Sequence, residues 1–243
     1  MKNKKLKMSV FIIFLAIWQI SSMIVNSEVI IPSINATIKQ IVVVISEDDF
    51  YLTILNSLLR SITGFLTAVM LGVFSGVLSF CNKFLKEIFT FITKICASVP
   101  TVAIILLLLI WLRPNFVSML IGCIMVFPMI YQSVFCSMYD YDKKIIKMLD
   151  VYNIDFKKRI KKIYMPKIFI DLKKIIPTSF SINFKMVIAG EVISQPKYAI
   201  GSKLYLEKIY INTAGVFSWI VIILFLSFLI DKILRCILSV KKH

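Results

Sequence analysis

The stretch LNSLLRSITGFLTAVMLGVFSGVLSF, residues 55–80, decides the fold. As a helix rising 1.5 Å per residue it is about 39 Å long, more than the ~30 Å of hydrocarbon in a bilayer. Gly64, Gly72 and Gly76 are spaced eight and four apart and fall near one helical face, where small residues let a neighbouring helix approach closely. A soluble domain has no place for several such segments.

Five further apolar runs are visible: Met8 to Val25, Ile88 to Leu112, Phe116 to Ser137, Ile175 to Ser194 and Val216 to Leu238. The whole chain of 243 residues is 59% hydrophobic with mean hydropathy +0.87, well above the ~45–50% apolar usage of soluble domains. These features predict an all-α membrane protein of about six transmembrane helices, organised as one domain over residues 1–243. Pro100 removes a backbone donor and should kink or break the third run. The run from Ile175 is the least apolar, since it contains Pro177, Lys185 and Glu191.

Charge sets the expected topology. Lys and Arg number 29 against 13 Asp and Glu, a balance that in a soluble chain would suggest nucleic acid. Here the cations gather between apolar runs, as the positive-inside rule expects of cytoplasmic loops, so a nucleic-acid partner is not expected. Lys2, Lys4, Lys5 and Lys7 precede the first run, which is read as a retained helix, and Arg235, Lys241 and Lys242 close or follow the last. Both termini are therefore expected in the cytoplasm, which requires an even number of spans. The segment Asn26 to Phe50, with Glu28, Glu47, Asp48 and Asp49 against Lys39, suits the exterior. Residues 139–174 hold eleven Lys or Arg and form the largest expected cytoplasmic segment.

Little in the chain points to chemistry of its own. Cys81, Cys96, Cys123, Cys136 and Cys236 lie in or beside apolar runs with no CxxC spacing, and the single histidine is His243. No metal site and no catalytic residue is expected. Nor is there a G-x4-G-K-[ST] phosphate loop, so no cofactor is expected and ATP would have to be hydrolysed elsewhere.

The segment Lys147-Met148-Leu149-Asp150-Val151-Tyr152-Asn153-Ile154-Asp155-Phe156, followed by Ile163-Tyr164-Met165-Pro166, carries a mechanism. It resembles the cytoplasmic signature of bacterial ABC importer permeases, with Asn153 at the glycine of that motif and Pro166 at its proline; Lys147-Met148-Leu149 do not match its E-A-A opening. Asn is the residue after Gly that most readily enters the left-handed conformation of a tight turn. Arg60-x3-Gly64-Phe65-x2-Ala68-x3-Gly72-x3-Gly76, Ser98-Val99-Pro100-Thr101-Val102-Ala103, Phe127-Pro128 and Ala189-Gly190-Glu191-Val192-Ile193 are similar to segments of the nitrate, sulfonate and taurine branch of these permeases. The resemblance extends over about residues 56–231.

That resemblance implies a type I importer in a bacterial cytoplasmic (inner) membrane: two permease copies, expected as a homodimer, an ABC ATPase subunit that binds ATP, and an extracellular solute-binding protein. The solute would be small and polar or anionic, as in nitrate, sulfonate, taurine or thiamine-precursor uptake. An ion-coupled secondary transporter is the alternative, and it would call for midplane charges and internal repeats.

Within this frame the coupling element is expected at Leu149, Val151, Tyr152, Asn153, Ile154, Asp155 and Phe156. Pro166 should end its second helix and redirect the chain. A basic amphipathic helix on anionic lipid is the plain alternative for this segment. Lys185, well inside the fifth run, has three fates open to it: lining a pathway, snorkelling to the interface, or pairing with a carboxylate of another span. Glu191 lies at the outer end of that run, where a structural or gating role is expected.

Overall fold

The computed structural model describes residues 2–139, 141, 148, 151–152 and 155–238. They form helices α1 (Lys2–Val25), α2 (Ile34–Ile45), α3 (Phe50–Cys81), α4 (Lys83–Ser98), α5 (Thr101–Trp111), α6 (Pro114–Tyr139), α7 (Phe156–Arg159), α8 (Met165–Ser194), α9 (Ile200–Ile209) and α10 (Thr213–Ile237). Among the described residues α3, α6 and α10 are each long and apolar enough to cross a membrane, and α4 with α5 pass together as a pair bent by 103°.

Packing supplies what composition leaves open. On α3 a β-carbon added at Gly64 would meet the Met119 carbonyl of α6, one at Gly72 would meet Ile130, and one at Gly76 would meet Val134. The contacts advance in the same direction on both helices, so α3 and α6 run parallel at close approach. The chain therefore crosses the layer between them, and the bent α4–α5 pair is a broken span that returns it. The break follows from Ser98-Val99-Pro100, since α4 ends at Ser98 and Pro100 lacks the donor that would continue it.

α8 runs antiparallel to α6 along nearly its full length. Ser118 lies 2.9 Å from Ser194, and Ser137 donates to Asp171 at 3.0 Å. A helix that tracks a spanning neighbour from end to end crosses the same thickness, although its own charges lower its hydropathy. α10 starts beside the start of α3, with Phe50 and Trp219 ring centroids 6.0 Å apart. The end of α1 meets the start of α10 through Trp18 and Phe217, 5.4 Å apart, and Thr213 donates to the Val29 carbonyl. The directions of α3, the α4–α5 pair, α6, α8 and α10 alternate.

One helix was not anticipated, and one expectation needs correction. The segment expected outside contains α2, capped by Ser33, whose hydroxyl accepts from the Ala36 N–H at 3.1 Å. The third run is broken at Pro100, as expected, into two helices joined by a sharp elbow. Pro166 does not end a helix or redirect the chain: it sits in the first turn of α8, which continues the helical path from Phe156 through a π-helical turn at Ile160–Tyr164. A proline near a helix start costs no intrahelical donor, and the widened turn before it accommodates the ring.

The core lies where α3, α6 and α8 meet, around Phe65, Ala68, Val126, Ile130, Phe180 and Phe184. Polar contacts tie the same helices: the buried Asn183 amide donates to the Ser61 carbonyl at 2.7 Å. In hydrocarbon, where apolar side chains gain nothing by leaving lipid, close packing and such interhelical bonds hold a bundle together.

Candidate functional site

At the end of the bundle where α3 begins, expected from its charge to be the outer one, four helices and a loop converge on one buried ion pair. Arg60 lies near the start of α3 and Glu191 near the end of antiparallel α8, so the two reach the same depth. Arg60 Nη1 is 2.9 Å from Glu191 Oε1, and the two side chains are 10% and 0% exposed. Both partners make further hydrogen bonds. Arg60 donates to Asn115 Oδ1 on α6 at 2.8 Å and to the carbonyls of Lys197 and Tyr198 at 3.0 and 3.3 Å. Glu191 Oε2 accepts from the Ser57 hydroxyl at 2.9 Å and from the Gly201 N–H at 3.1 Å. Ser57 Oγ in turn accepts from the Ile200 N–H at 3.0 Å.

Local backbone serves this network. Gln195 ends α8 in the left-handed region at φ 54°, and Tyr198 in the following loop is left-handed at φ 50°. Both are strained for residues with a β-carbon, and the loop carbonyls they orient are those that Arg60 binds. At Gly201 an added β-carbon would lie 2.5 Å from both Glu191 Cβ and the Ile188 carbonyl. Glycine there lets the start of α9 press its N–H against the carboxylate. The result is a clasp that joins α3, α6, α8 and α9.

A second outer cluster sits above it. Lys203 on α9 is 2.8 Å from Glu47 Oε2 and 2.8 Å from Asp49 Oδ2 at the α2–α3 junction. Partial burial opposes the lysine charge, but hydrogen bonds and attraction from Asp49 and Glu47 outweigh it and raise Lys203 above the ordinary lysine value.

Lys185 lies on the face of α8 turned away from α3 and α6. It is exposed, as are Thr178 and Ala189, seven residues before and four after it on the same helical stripe. Its depth is fixed by its neighbours: a β-carbon on Gly122 of α6 would meet Asn183 and Val187 on either side of it. No described residue forms an ion pair with Lys185. No pair with a carboxylate of another span is seen among the described residues, and Glu191 on the same helix is held by Arg60.

In the expected coupling segment, Val151 and Tyr152 are 78% and 72% exposed, and the Tyr152 N–H bonds the Met148 carbonyl at 3.1 Å. Asp155 is exposed and Phe156 opens α7. Leu149, Asn153 and Ile154 lie outside the described residues. On the return into the membrane, Tyr164 packs edge-on against Tyr141 at 5.3 Å and against Phe80 at 5.1 Å.

Sequence reasoning singled out Glu191 but missed its partner. Arg60 stood in a motif as a matching position without a role. The signal was available: two opposite charges inside apolar runs, each near the same expected side, are costly apart and compatible only as a pair.

A family model for the inner membrane component of binding-protein-dependent transport systems matches residues 68–238. A search of curated proteins finds no match. The matched span covers Gly72 and Gly76 of α3, the broken span, α6, the segment before α8, and the helix on which Lys185 and Glu191 stand. By that match the chain belongs to the family of inner membrane permease components of binding-protein-dependent ABC transport systems.

Proposed function

We propose that the chain is the permease subunit of an ATP-driven importer for a small polar or anionic solute, within the nitrate, sulfonate and taurine branch or its thiamine-precursor relatives. The observation that carries the reading is Lys185. A lone ammonium well inside the bilayer costs at least about 2.5–3.5 kcal/mol against lipid. Thr178 shares its face and adds a second polar group. This face is therefore turned to a water-filled pathway, completed by a second copy of the chain, where the ammonium is solvated and attracts an anionic or polar solute. ATP binds and is hydrolysed on a partner subunit that docks on residues 149–156, and an external binding protein delivers the solute at the Arg60–Glu191 end. The chain performs no reaction of its own, and both termini lie in the cytoplasm of a bacterial cell.

In this scheme the clasp keeps the outer ends of α3, α6, α8 and α9 moving as one body. The α6–α8 pair carries displacement from the coupling segment to that body. A ligand or nucleotide shifts such an equilibrium only through contacts that differ between two states. The test is uptake by a complex carrying Lys185→Met. Loss of most uptake with normal assembly is expected. Normal uptake by a fully assembled complex would sink the pathway assignment.

A further inference from the structure

At the opposite end of the bundle the first half of the broken span leaves a groove that the transport reading does not use. α4 is amphipathic: Lys83, Lys86, Glu87, Thr90 and Lys94 follow one stripe, while Phe84, Ile88, Ile92 and Ile95 are exposed on the other. The polar stripe faces the ends of α3 and α6 across a cavity of about 610 Å³, lined by the three lysines, Glu87 and the aromatic residues Phe80, Phe91, Phe135 and Tyr139. Lys86 is held in place, with its ammonium 5.0 Å from the Phe135 ring centre and 5.4 Å from that of Tyr139.

We infer that this groove is a binding site for the phosphate headgroup of an anionic phospholipid. The depth is that of a headgroup, because the groove lies where α3 ends, α4 begins and α6 reaches Tyr139. Charge favours an anion, with three ammonium groups against one carboxylate around the cavity. Size and lining favour a lipid over a free oxyanion. Lys83 and Lys94 are separated by about 16 Å of helix rise, and the cavity far exceeds the volume of an inorganic phosphate. Phenylalanines beside the lysines offer apolar contact to the glycerol and upper acyl chain, which a free ion does not have. The exposed apolar flank of α4 faces hydrocarbon, so a lipid can enter from the side. This assignment rests on the membrane orientation of the helices and not on the identity of the transported solute.

The test is native mass spectrometry of the purified full-length chain in detergent, titrated with phosphatidylglycerol and with phosphatidylcholine. Wild type should retain phosphatidylglycerol preferentially. The variant combining Lys83→Gln, Lys86→Gln and Lys94→Gln should lose about fivefold in affinity for each lysine removed, from the worth of a basic residue near an anionic surface. The arginine counterparts Lys83→Arg, Lys86→Arg and Lys94→Arg should restore it, which shows that the glutamine variant fails through charge and not through folding. Lys173→Gln with Lys232→Gln, at the same end but outside the groove, should leave retention unchanged. Equal retention by the triple glutamine variant, or equal loss in the control pair, would overturn the site. Competition by inorganic phosphate at concentrations similar to the lipid would overturn the lipid assignment in favour of a soluble oxyanion.

Discussion

The two ends of the bundle handle charge in opposite ways. At the outer end Arg60 and Glu191 are buried, and their hydrogen bonds are made to four elements of the same chain. At the opposite end, expected to be the inner one, Lys83, Lys86 and Lys94 line an open groove, and Val151 and Tyr152 are exposed. A buried pair bonded to several elements fixes geometry. Uncovered lysines and aromatics do the reverse, leaving binding capacity for lipid or a partner subunit. On the proposed reading, the outer end holds a shape and the inner end receives what changes it.

The contrast breaks most severely if one half of the clasp is removed. Glu191→Ala strands Arg60 in the interior and frees the Ser57 hydroxyl and the Gly201 N–H. The cost for breaking a buried pair is about 3–5 kcal/mol. Expected is a sharply lower yield of folded protein and a melting temperature well below wild type in detergent. The double variant Glu191→Met with Arg60→Met should be less damaging than Glu191→Ala alone, since no charge is left unpaired. Equal stability of wild type and Glu191→Ala would show that the pair contributes nothing to rigidity.

At the inner end the largest effect should be on association and not on folding. Tyr152→Asp combined with Phe156→Asp removes two aromatic anchors and adds charge. Each anchor of a docking surface is worth about 2 kcal/mol or more, so copurification with the ATPase subunit and transport should both be lost while membrane insertion persists. Normal copurification and uptake in that variant would place the docking surface elsewhere. A cysteine at position 155 in a background without native cysteines should react with impermeant reagent only from the cytoplasmic side.

Much of this fold was legible because its causes are local. Apolar length predicts the spans, and Gly64, Gly72 and Gly76 predict the face on which α3 meets α6. Pro100 marks the elbow. The α8 crossing was legible only through charge parity, because its evidence is its fit along α6 from Ser118–Ser194 to Ser137–Asp171, a relation between distant residues. The clasp was hidden for the same reason: Arg60 and Glu191 are 131 residues apart. Pro166 misled because a proline reads as a stop unless the turn before it is known to be widened. α2 was missed because its segment was read through its charges, Glu28, Glu47, Asp48 and Asp49, while the helix itself comes from the apolar run Ile41 to Ile45.

Gly72→Ala sharpens the comparison along the axis between the two ends. The added methyl would lie 2.6 Å from Ile130 Cγ2 and 3.1 Å from the Tyr131 backbone nitrogen. The side chain can give way but the backbone cannot without moving α6. Overpacking of this kind costs about 1–3 kcal/mol. Expected is a moderate fall in melting temperature with the ATPase still bound. If α3 and α6 move as a single body, the coupling of ATP hydrolysis to uptake should weaken as well. An unchanged melting temperature would mean that the two helices are not held at this distance.

The smallest effect should come from Lys203, whose pairs with Glu47 and Asp49 are half-exposed. Such pairs are each worth about 0.2–1 kcal/mol, so Lys203→Met should lower stability slightly at neutral pH, and far less than Glu191→Ala. The pH dependence gives a sharper reading. Because the folded-state value of Lys203 is raised by its two carboxylates despite the opposing effect of burial, its contribution is fully present below the ordinary lysine value of about 10.4. It is lost as pH rises through the elevated folded value. The difference in melting temperature between wild type and Lys203→Met should therefore be constant through the neutral range and shrink only in strong alkali. A difference that vanished near neutrality would show that these carboxylates do not hold the ammonium, and the contrast between the fixed lower clasp and the outer cluster above it would have to be redrawn.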